Sequence, residues 1–198
     1  MSNLSPAWMF TTDAIHPYAY WEEYFSPEEC QTIIDYGKSQ VLEEGVINTG
    51  DTSPSQVKEI RDSKVVFLQP DENMQWVYRK LTDVVQHLNK EYFMFDLTGF
   101  AEGLQFTEYT APGGNYNFHV DSGYNKVIRK LSIVLQLSDE SDYEGGDFII
   151  RNSSKDQFLQ RKQGTILAFP SYTVHKVSPV TKGTRHSLVG WITGPRFK

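Results

Sequence analysis

The chain has 198 residues, enough for one domain with a sizeable hydrophobic core, and its 39% hydrophobic and 22% charged residues argue against disorder. Its net charge of −6 at pH 7 provides no general attraction for nucleic acid. One cysteine excludes an intrachain disulfide, and because neither a signal peptide nor an apolar run of about 18 residues occurs, we expect a soluble cytoplasmic protein without a membrane partner.

The first half of the sequence carries the patterns of two helices. Ser26-Pro27-Glu28-Glu29 combines an N-cap, a proline at the first helical position and a capping-box acid, which predicts a helix from Pro27 to Lys38. Asp71 to Glu91 places apolar residues at steps of three and four, which is typical of a long amphipathic helix. Cys30 lies in the first helix, and without a surrounding motif it is expected to pack inward.

The segment between these helices, Val41 to Lys64, is predominantly polar. It contains Gly50, Asp51, Ser53 and Pro54 close together, which predicts a long exposed loop. Long loops in compact domains often serve function, so this segment is a candidate lid that closes over an extended substrate.

From Leu104 onward the pattern changes to short strands separated by turn residues. Apolar residues alternate with others from Leu131 to Leu137, so one face of that strand should meet an apolar layer. The sequence therefore predicts an α+β protein, mainly β, with helices packed outside a β-sandwich. The other predicted strands are Gln105–Tyr109, Gly146–Arg151, Gly164–Phe169 and His186–Ile192.

His119-Val120-Asp121 is a candidate half of a metal site. Residues two apart on a strand project from the same face, so the imidazole of His119 and the carboxylate of Asp121 would converge. A tripeptide this short also occurs as an ordinary structural pair, and a third ligand must come from elsewhere. Two histidines and one carboxylate on one face leave three positions open, which is an iron(II) geometry, although zinc accepts the same ligand types.

His175 and Arg185 supply the context for that pair. His175 follows the Phe169-Pro170 strand, and Arg185 lies ten positions further along the chain. An arginine inside a barrel is costly unless it meets an anion, and its planar fork suits bidentate binding of a carboxylate. Arg185 could therefore hold a ligand carboxylate, such as the far carboxylate of 2-oxoglutarate.

The candidate site residues and several further motifs follow one another along the chain. In order, they are Tyr109, Gly113-Gly114, His119-Val120-Asp121, the strand Leu131–Leu137, Glu144-Gly145-Gly146-Asp147-Phe148, Phe169-Pro170, His175 and Arg185. The order, over Ile60 to Ile192, resembles the catalytic domain of prolyl 4-hydroxylases in the 2-oxoglutarate and iron(II)-dependent oxygenase superfamily. The resemblance implies a double-stranded β-helix, or jelly roll, with flanking N-terminal helices. It implies one domain over 1–198, with helical support in about 1–95 and the catalytic jelly roll in about 96–195.

The same resemblance assigns roles to individual residues. It makes His119, Asp121 and His175 the iron ligands and Arg185 the main partner of the distal carboxylate of 2-oxoglutarate. Tyr109 would add a hydrogen bond to that carboxylate, although a strand tyrosine also fits a core position.

The resemblance also implies substrate contacts, at Arg61, Tyr116, Arg129 and Trp191. Each has an alternative: the two arginines as solvated charges, the tyrosine as a cover for apolar surface, and the tryptophan as a core residue. Where some relatives have a second tyrosine facing the cosubstrate, this chain has Gln136 or Leu135. The Gln136 amide is the candidate donor there.

The function that the resemblance implies is Fe(II)- and 2-oxoglutarate-dependent hydroxylation of prolyl residues in a peptide or protein. O2 would be the second cosubstrate and ascorbate the reductant, with succinate and CO2 released. The same chemistry on another protein side chain, a free amino acid or a nucleic-acid base is an alternative, and the acidic composition argues against nucleic acid. From a different class, a non-catalytic cupin-like binding module is the remaining alternative, and the complete set of ligand residues argues against it.

Overall fold

A computed structural model describes residues 16–46, 58–122 and 127–196 of the chain, and in these residues helices accompany two antiparallel β-sheets. The middle of the predicted lid, 47–57, lies outside the described residues. In chain order the strands are β1 (Ala19–Trp21), β2 (Glu43–Glu44), β3 (Arg61–Asp62), β4 (Lys64–Leu68), β5 (Gly99–Phe100), β6 (Leu104–Thr110), β7 (Asn115–His119), β8 (Arg129–Gln136), β9 (Tyr143–Gly145), β10 (Phe148–Asn152), β11 (Lys155–Phe158), β12 (Ile166–Pro170), β13 (Val174–Val177) and β14 (Val180–Thr193).

The strands divide into a larger and a smaller sheet. The main sheet has the order β1-β12-β8-β14-β6-β4-β2, with β5 and β9 also paired to β14. The minor sheet has the order β11-β10-β13-β7-β3. The strands predicted from the second half of the sequence are confirmed, and β14 extends further toward the N-terminus than the predicted strand.

Helix α1 (Pro27–Ser39) begins with the predicted capping box. The Ser26 backbone N–H donates to the Glu29 carboxylate at 2.8 Å, and the Glu29 backbone N–H donates to the Ser26 hydroxyl at 3.2 Å. Cys30 is fully buried in this helix, as predicted, and burial raises the pKa of its thiol to about 12, so the thiol is neutral and unreactive at pH 7.

Helix α2 (Gln75–Leu88) is shorter than the predicted Asp71 to Glu91 helix. At its start, the Asp71 carboxylate accepts hydrogen bonds from the backbone N–H groups of Asn73 and Met74 and so holds a turn ahead of the helix. At its end, the chain widens into a π-helical turn, Asn89–Phe93, which stops at Met94 in a left-handed conformation. No helix of the described ranges 16–46, 58–122 and 127–196 is long and apolar enough to cross a bilayer.

The main sheet has a hydrophobic cluster on each of its faces. The first cluster packs the helices against the sheet and includes Leu131, Ile133 and Leu135 of β8, so the predicted apolar face of this strand is confirmed. The second cluster lies between the two sheets and includes Val134 of the same strand. The predicted architecture, mainly β with helices outside a sandwich, is therefore confirmed.

The N-terminal half is not only a helical support, because it also contributes strands. β1 pairs with β12 along Ala19–Trp21, and β4 pairs with β6 along Lys64–Leu68. Strands as short as β1, β2 and β3 show no readable alternation, so the sequence pattern did not predict them. The main sheet is therefore assembled from both halves of the chain.

Candidate active site

A cavity of about 690 Å³ lies between the two sheets, within the range of sites for small ligands. The minor sheet contributes histidines to its wall and the main sheet contributes an arginine. All the residues to which the sequence assigns a role line this cavity except Gln136. Its lining includes Arg61, Glu102, Tyr109, Tyr116, His119, Asp121, Arg129, Val134, His175, Arg185 and Trp191.

His119, Asp121 and His175 come together in the cavity wall. His119 ends β7 and lies directly opposite His175 of β13 in the sheet register, and Asp121 follows β7 by two residues. The Nε2 atoms of His119 and His175 each lie 3.7 Å from a different oxygen of the Asp121 carboxylate. One ligand atom from each of the three residues lies within 4.8 Å of the others, so the three can share one metal ion.

Backbone carbonyls orient both imidazoles. The Nδ1 atom of His119 lies 2.8 Å from the carbonyl oxygen of Asn117, and that of His175 lies 2.9 Å from the carbonyl oxygen of Thr173. A ring that donates from Nδ1 presents Nε2 as the free lone pair, which is the form a metal requires. Both histidines therefore point a metal-binding nitrogen at the same space.

Two serines hold the carboxylate of Asp121. The Ser132 hydroxyl donates to Asp121 Oδ2 at 2.7 Å and lies 2.9 Å from the hydroxyl of Ser171. The backbone N–H of Asp121 donates to the Ser171 carbonyl at 2.9 Å. Neither serine stands out in the sequence, because their contacts with Asp121 join distant parts of the chain.

The protonation states in the triad suit metal binding. Burial, together with the neighbouring His175, lowers the pKa of His119 to about 4, so this imidazole is neutral at pH 7. Burial pushes the pKa of Asp121 upward, but the two imidazoles and the Ser132 hydrogen bond outweigh it and keep that pKa below its usual value. The site thus offers a neutral nitrogen at His119 and a carboxylate at Asp121, as a divalent cation requires.

Arg185 forms part of the opposite wall of the cavity, on β14. Its side chain is only 1% exposed, and it lies beside Tyr109, with the guanidinium carbon 5.5 Å from the ring centre. Its Nη2 donates to the Gln136 amide oxygen at 2.7 Å and its Nη1 lies 3.5 Å from the Ser187 hydroxyl. Its described hydrogen-bond partners are neutral and its Nε has none, so the buried charge is suited to an anion that enters the cavity.

Gln136 does not take the position predicted for it. Its amide oxygen accepts from Arg185, and its amide nitrogen donates to the Gln160 carbonyl at 3.1 Å, so both ends of the side chain are used. The β8 side chain in the cavity wall is Val134, because alternation along the strand places Leu135 on the helix side. Gln136 therefore lies on the same face of β8 as Val134 but outside the cavity lining, where it positions Arg185.

Tyr116 and Arg61 form a stack that leads to the metal site. The Tyr116 ring lies on the His119 ring, with centres 3.5 Å apart and planes at 15°. The guanidinium carbon of Arg61, from β3, lies over the Tyr116 ring, 4.6 Å from its centre. Tyr116 is therefore more than a cover for apolar surface, and Arg61 is buried at 7% exposure instead of solvated.

Arg129 and Trp191 lie next to Asp121. The guanidinium of Arg129 is 3.7 Å from the centre of the Trp191 ring, and its Nε donates to the carboxylate of Glu102 at 3.0 Å. Its Nη1 lies 3.5 Å from the Asp121 carbonyl oxygen. Trp191 is 6% exposed, so it is both a core residue and part of the cavity wall. Glu102 was missed in the sequence because nothing local links it to Arg129.

Comparisons with known proteins identify relatives for the second half of the chain. Residues 104–193 match the family model of the 2OG-Fe(II) oxygenase superfamily. A PKHD-type hydroxylase of Picosynechococcus sp. is 40% identical over 90 residues, which are 45% of this chain and 41% of the relative. A PKHD-type hydroxylase of Synechococcus elongatus is 33% identical over 122 residues, 58% of this chain and 54% of the relative. The chain thus spans about half the length of the curated relatives it matches.

Solved structures resemble this fold over nearly its whole length. A prolyl-4-hydroxylase from Pseudomonas putida has a TM-score of 0.72 at 18% identity and covers 91% of this chain and 94% of its own. A prolyl hydroxylase from Trichoplax adhaerens was solved with a peptide fragment of the hypoxia inducible factor oxygen degradation domain. It has a TM-score of 0.74 at 17% identity, and the match covers 90% of this chain and 84% of the relative. These similarities confirm the predicted jelly-roll fold.

Proposed function

We propose that this chain, whose residues 104–193 belong to the 2OG-Fe(II) oxygenase superfamily, is an Fe(II)- and 2-oxoglutarate-dependent dioxygenase that hydroxylates prolyl residues in a peptide or protein. The observation that carries the proposal is the composition of one cavity. A two-histidine, one-carboxylate set stands on one wall, and a buried arginine with only neutral described partners stands on the other.

The three ligand residues fit Fe(II). His119 and His175 each present Nε2, and Asp121 presents a carboxylate held by Ser132, which is the donor set of oxygenases that keep three coordination positions open. When bound there, Fe(II) would supply O2 activation, which couples the conversion of 2-oxoglutarate to succinate and CO2 with insertion of one oxygen atom into a C–H bond.

The remaining cavity residues position the reactants. Arg185 is suited to bind the distal carboxylate of 2-oxoglutarate through its fork, while Gln136 and Ser187 fix the direction of that fork. Tyr109, which is buried beside the guanidinium, is placed to add a hydrogen bond to the same carboxylate. The two sheets enclose this end of the cavity, which limits access of water to the reacting groups.

A peptide substrate is supported by the relatives and by the cavity wall. Two of the similar solved structures are a prolyl-4-hydroxylase and a prolyl hydroxylase that holds a peptide. In this chain, Arg61, Tyr116 and Trp191 provide a guanidinium and aromatic surfaces next to the ligand triad, suited to a polar group of the peptide and to a pyrrolidine ring.

The first experiment tests the metal and cosubstrate. Anaerobic titration of the Fe(II) protein with 2-oxoglutarate should give a weak visible charge-transfer band in the wild type and none in His175→Ala. His87→Ala is the matched control, because His87 lies on the exposed surface of α2 outside the cavity and its loss should leave the band intact. Absence of the band in the wild type would refute the oxygenase proposal.

The second experiment tests the substrate. Proline-containing peptides are incubated with Fe(II), 2-oxoglutarate, O2 and ascorbate, and mass spectrometry should find a gain of one oxygen atom on proline with one succinate formed per product. The same peptides with alanine in place of proline are the control. Turnover of alkylated oligonucleotides alone, with no oxygen gained by any peptide, would contradict the prolyl assignment and leave the oxygenase chemistry in place.

A further inference from the structure

The cavity wall has one more positively charged side chain than it has anionic partners. Arg129 is paired with the carboxylate of Glu102, and Asp121 faces the imidazoles of the ligand triad. Under the proposed function, Arg185 receives the distal carboxylate of 2-oxoglutarate. Among the charged cavity residues that the structure describes, Arg61 is then left without an anionic partner.

The described hydrogen-bond partners of Arg61 are neutral. Its Nε donates to the Ser63 hydroxyl at 2.9 Å and its Nη1 donates to the Val46 carbonyl at 3.2 Å. Its Nη2 is buried and has no hydrogen-bond partner in the described parts of the chain. Burial of a guanidinium whose partners are all neutral is costly, and the cost falls when an anion binds beside it.

Packing fixes where this charge stands. A side chain at Gly45 would place its Cβ 2.5 Å from the Nε of Arg61, so glycine allows the backbone to lie directly against the guanidinium. On the other side the guanidinium lies over the Tyr116 ring, which is itself stacked on His119. Arg61 therefore stands two stacked rings from the metal site, held in place before any ligand arrives.

We infer that the substrate carries a carboxylate that binds Arg61, close to the carbon that is hydroxylated. This inference rests on the proposed function and narrows its substrate class to prolyl peptides with a negative charge at or near the proline. Two sources supply the same chemistry: the α-carboxylate of a proline at the end of a chain, and the side chain of an aspartate or glutamate next to the proline.

The test measures binding and needs no turnover. The probes are three matched peptides, acetyl-Ala-Ala-Pro as the free acid, the same peptide as its amide, and acetyl-Ala-Ala-Pro-Glu as its amide. Calorimetry with the full chain, loaded anaerobically with Mn(II) and 2-oxoglutarate, should show that an acidic probe binds about 10- to 100-fold more tightly than the neutral amide, as expected for a charge-assisted hydrogen bond. Preference for the first or the third peptide identifies the source of the carboxylate.

Variants assign the preference to Arg61. Arg61→Gln should bring the acidic and neutral probes to within about threefold of each other, whereas Arg61→Lys should retain part of the preference. Ser63→Ala, which removes a described hydrogen bond but no charge, should keep the acidic probe ahead. Arg161→Gln is the matched arginine control, because Arg161 is paired with Asp147 outside the cavity and its loss should leave the preference unchanged.

Several outcomes would overturn the inference. The inference is wrong if the wild type binds all three probes equally or binds none of them. It is also wrong if the preference for an acidic probe survives in Arg61→Gln. Loss of 2-oxoglutarate binding in Arg61→Gln would make Arg61 a cosubstrate residue instead. Failure of the proposed function is separate, because it would appear as absence of the Fe(II) and 2-oxoglutarate band in the wild type.

Discussion

The two faces of the main sheet differ in what they bury. The face toward α1 and α2 is packed with aliphatic side chains such as Leu135, which form one cluster with the helices. The face toward the minor sheet buries Val134 beside charged and polar groups, among them Arg185. Burial of apolar surface is the dominant source of stability, whereas buried charge is costly unless a partner is present. The comparison indicates that one face stabilises the fold and the other holds groups that are useful only with a ligand.

The largest effect should come from the helix-side face. Leu135→Ala removes a fully buried side chain and should lower the free energy of unfolding by about 2–5 kcal/mol, because it leaves a cavity in a packed core. Denaturant unfolding followed by circular dichroism measures this loss. Val134→Ala, the neighbour on the other face of β8, is the matched comparison and should cost less stability. If Val134→Ala proved the more destabilising of the two, the division between the faces would be wrong.

Replacing Arg185 should change the stability of the fold less than Leu135→Ala does, but it should weaken ligand binding strongly. Arg185→Ala should weaken 2-oxoglutarate binding about 100-fold, as loss of a charge-assisted bidentate contact predicts, and should leave Fe(II) affinity nearly unchanged. Titration of each ligand by calorimetry gives both constants. Arg161→Ala is the control, since Arg161 is paired with Asp147 outside the cavity. Equal loss of metal and 2-oxoglutarate binding would refute the role assigned to Arg185.

A weaker effect is expected at the Glu102 and Arg129 pair. Glu102→Gln should release Arg129 from its position over Trp191, and because the pair is partly exposed its contribution is limited to about 0.2–1 kcal/mol. Metal affinity and peptide KM should therefore change by about fivefold or less. A change of 100-fold in either constant would mean that the pair acts directly on a ligand.

The smallest effect concerns His186, a polar exception near the helix side of the main sheet. Burial lowers the pKa of His186, and hydrogen bonding to Glu108 only partly offsets this. The pKa of His186 in the folded state lies below its value of about 6.5 in the unfolded state. At a pH between these two pKa values the unfolded state binds more protons than the folded state. The free energy of unfolding therefore falls as the pH drops below about 6.5. His186→Gln should therefore lose less Tm than the wild type between pH 7.5 and pH 5.5. Parallel Tm losses in the two proteins would contradict this origin.

Much of the fold was predictable from patterns that are local in sequence. The capping box at Ser26 and the alternation from Leu131 to Leu137 depend on neighbouring residues, and both are confirmed by the structure. The strands β1, β2 and β3 were missed because two or three residues carry no period. Their place is decided by the partner strand, which for β1 is β12, far away along the chain.

The candidate site divides in the same way. The spacing of His119 and Asp121 predicted that their side chains converge, and the family resemblance added His175 and Arg185 to the same site. The structure places all four in the wall of one cavity. The use of Gln136 was not predictable, because its orientation depends on Gln160 and on Arg185, which belong to other parts of the chain. The sequence thus indicates which site residues come together, whereas long-range contacts decide how a residue that holds them, such as Gln136, is oriented.

The pairing of β1 with β12 has a practical consequence for laboratory work on this protein. A recombinant fragment cut to the matched segment 104–193 would lack β1 and β4, which cover β12 and β6. It would expose their backbone donors and acceptors and uncover the leucine-rich face that α1 and α2 protect. Such a fragment is a template for aggregation, so screening, labelling and crystallisation are best designed on a chain that retains Ala19–Trp21 and everything that follows it.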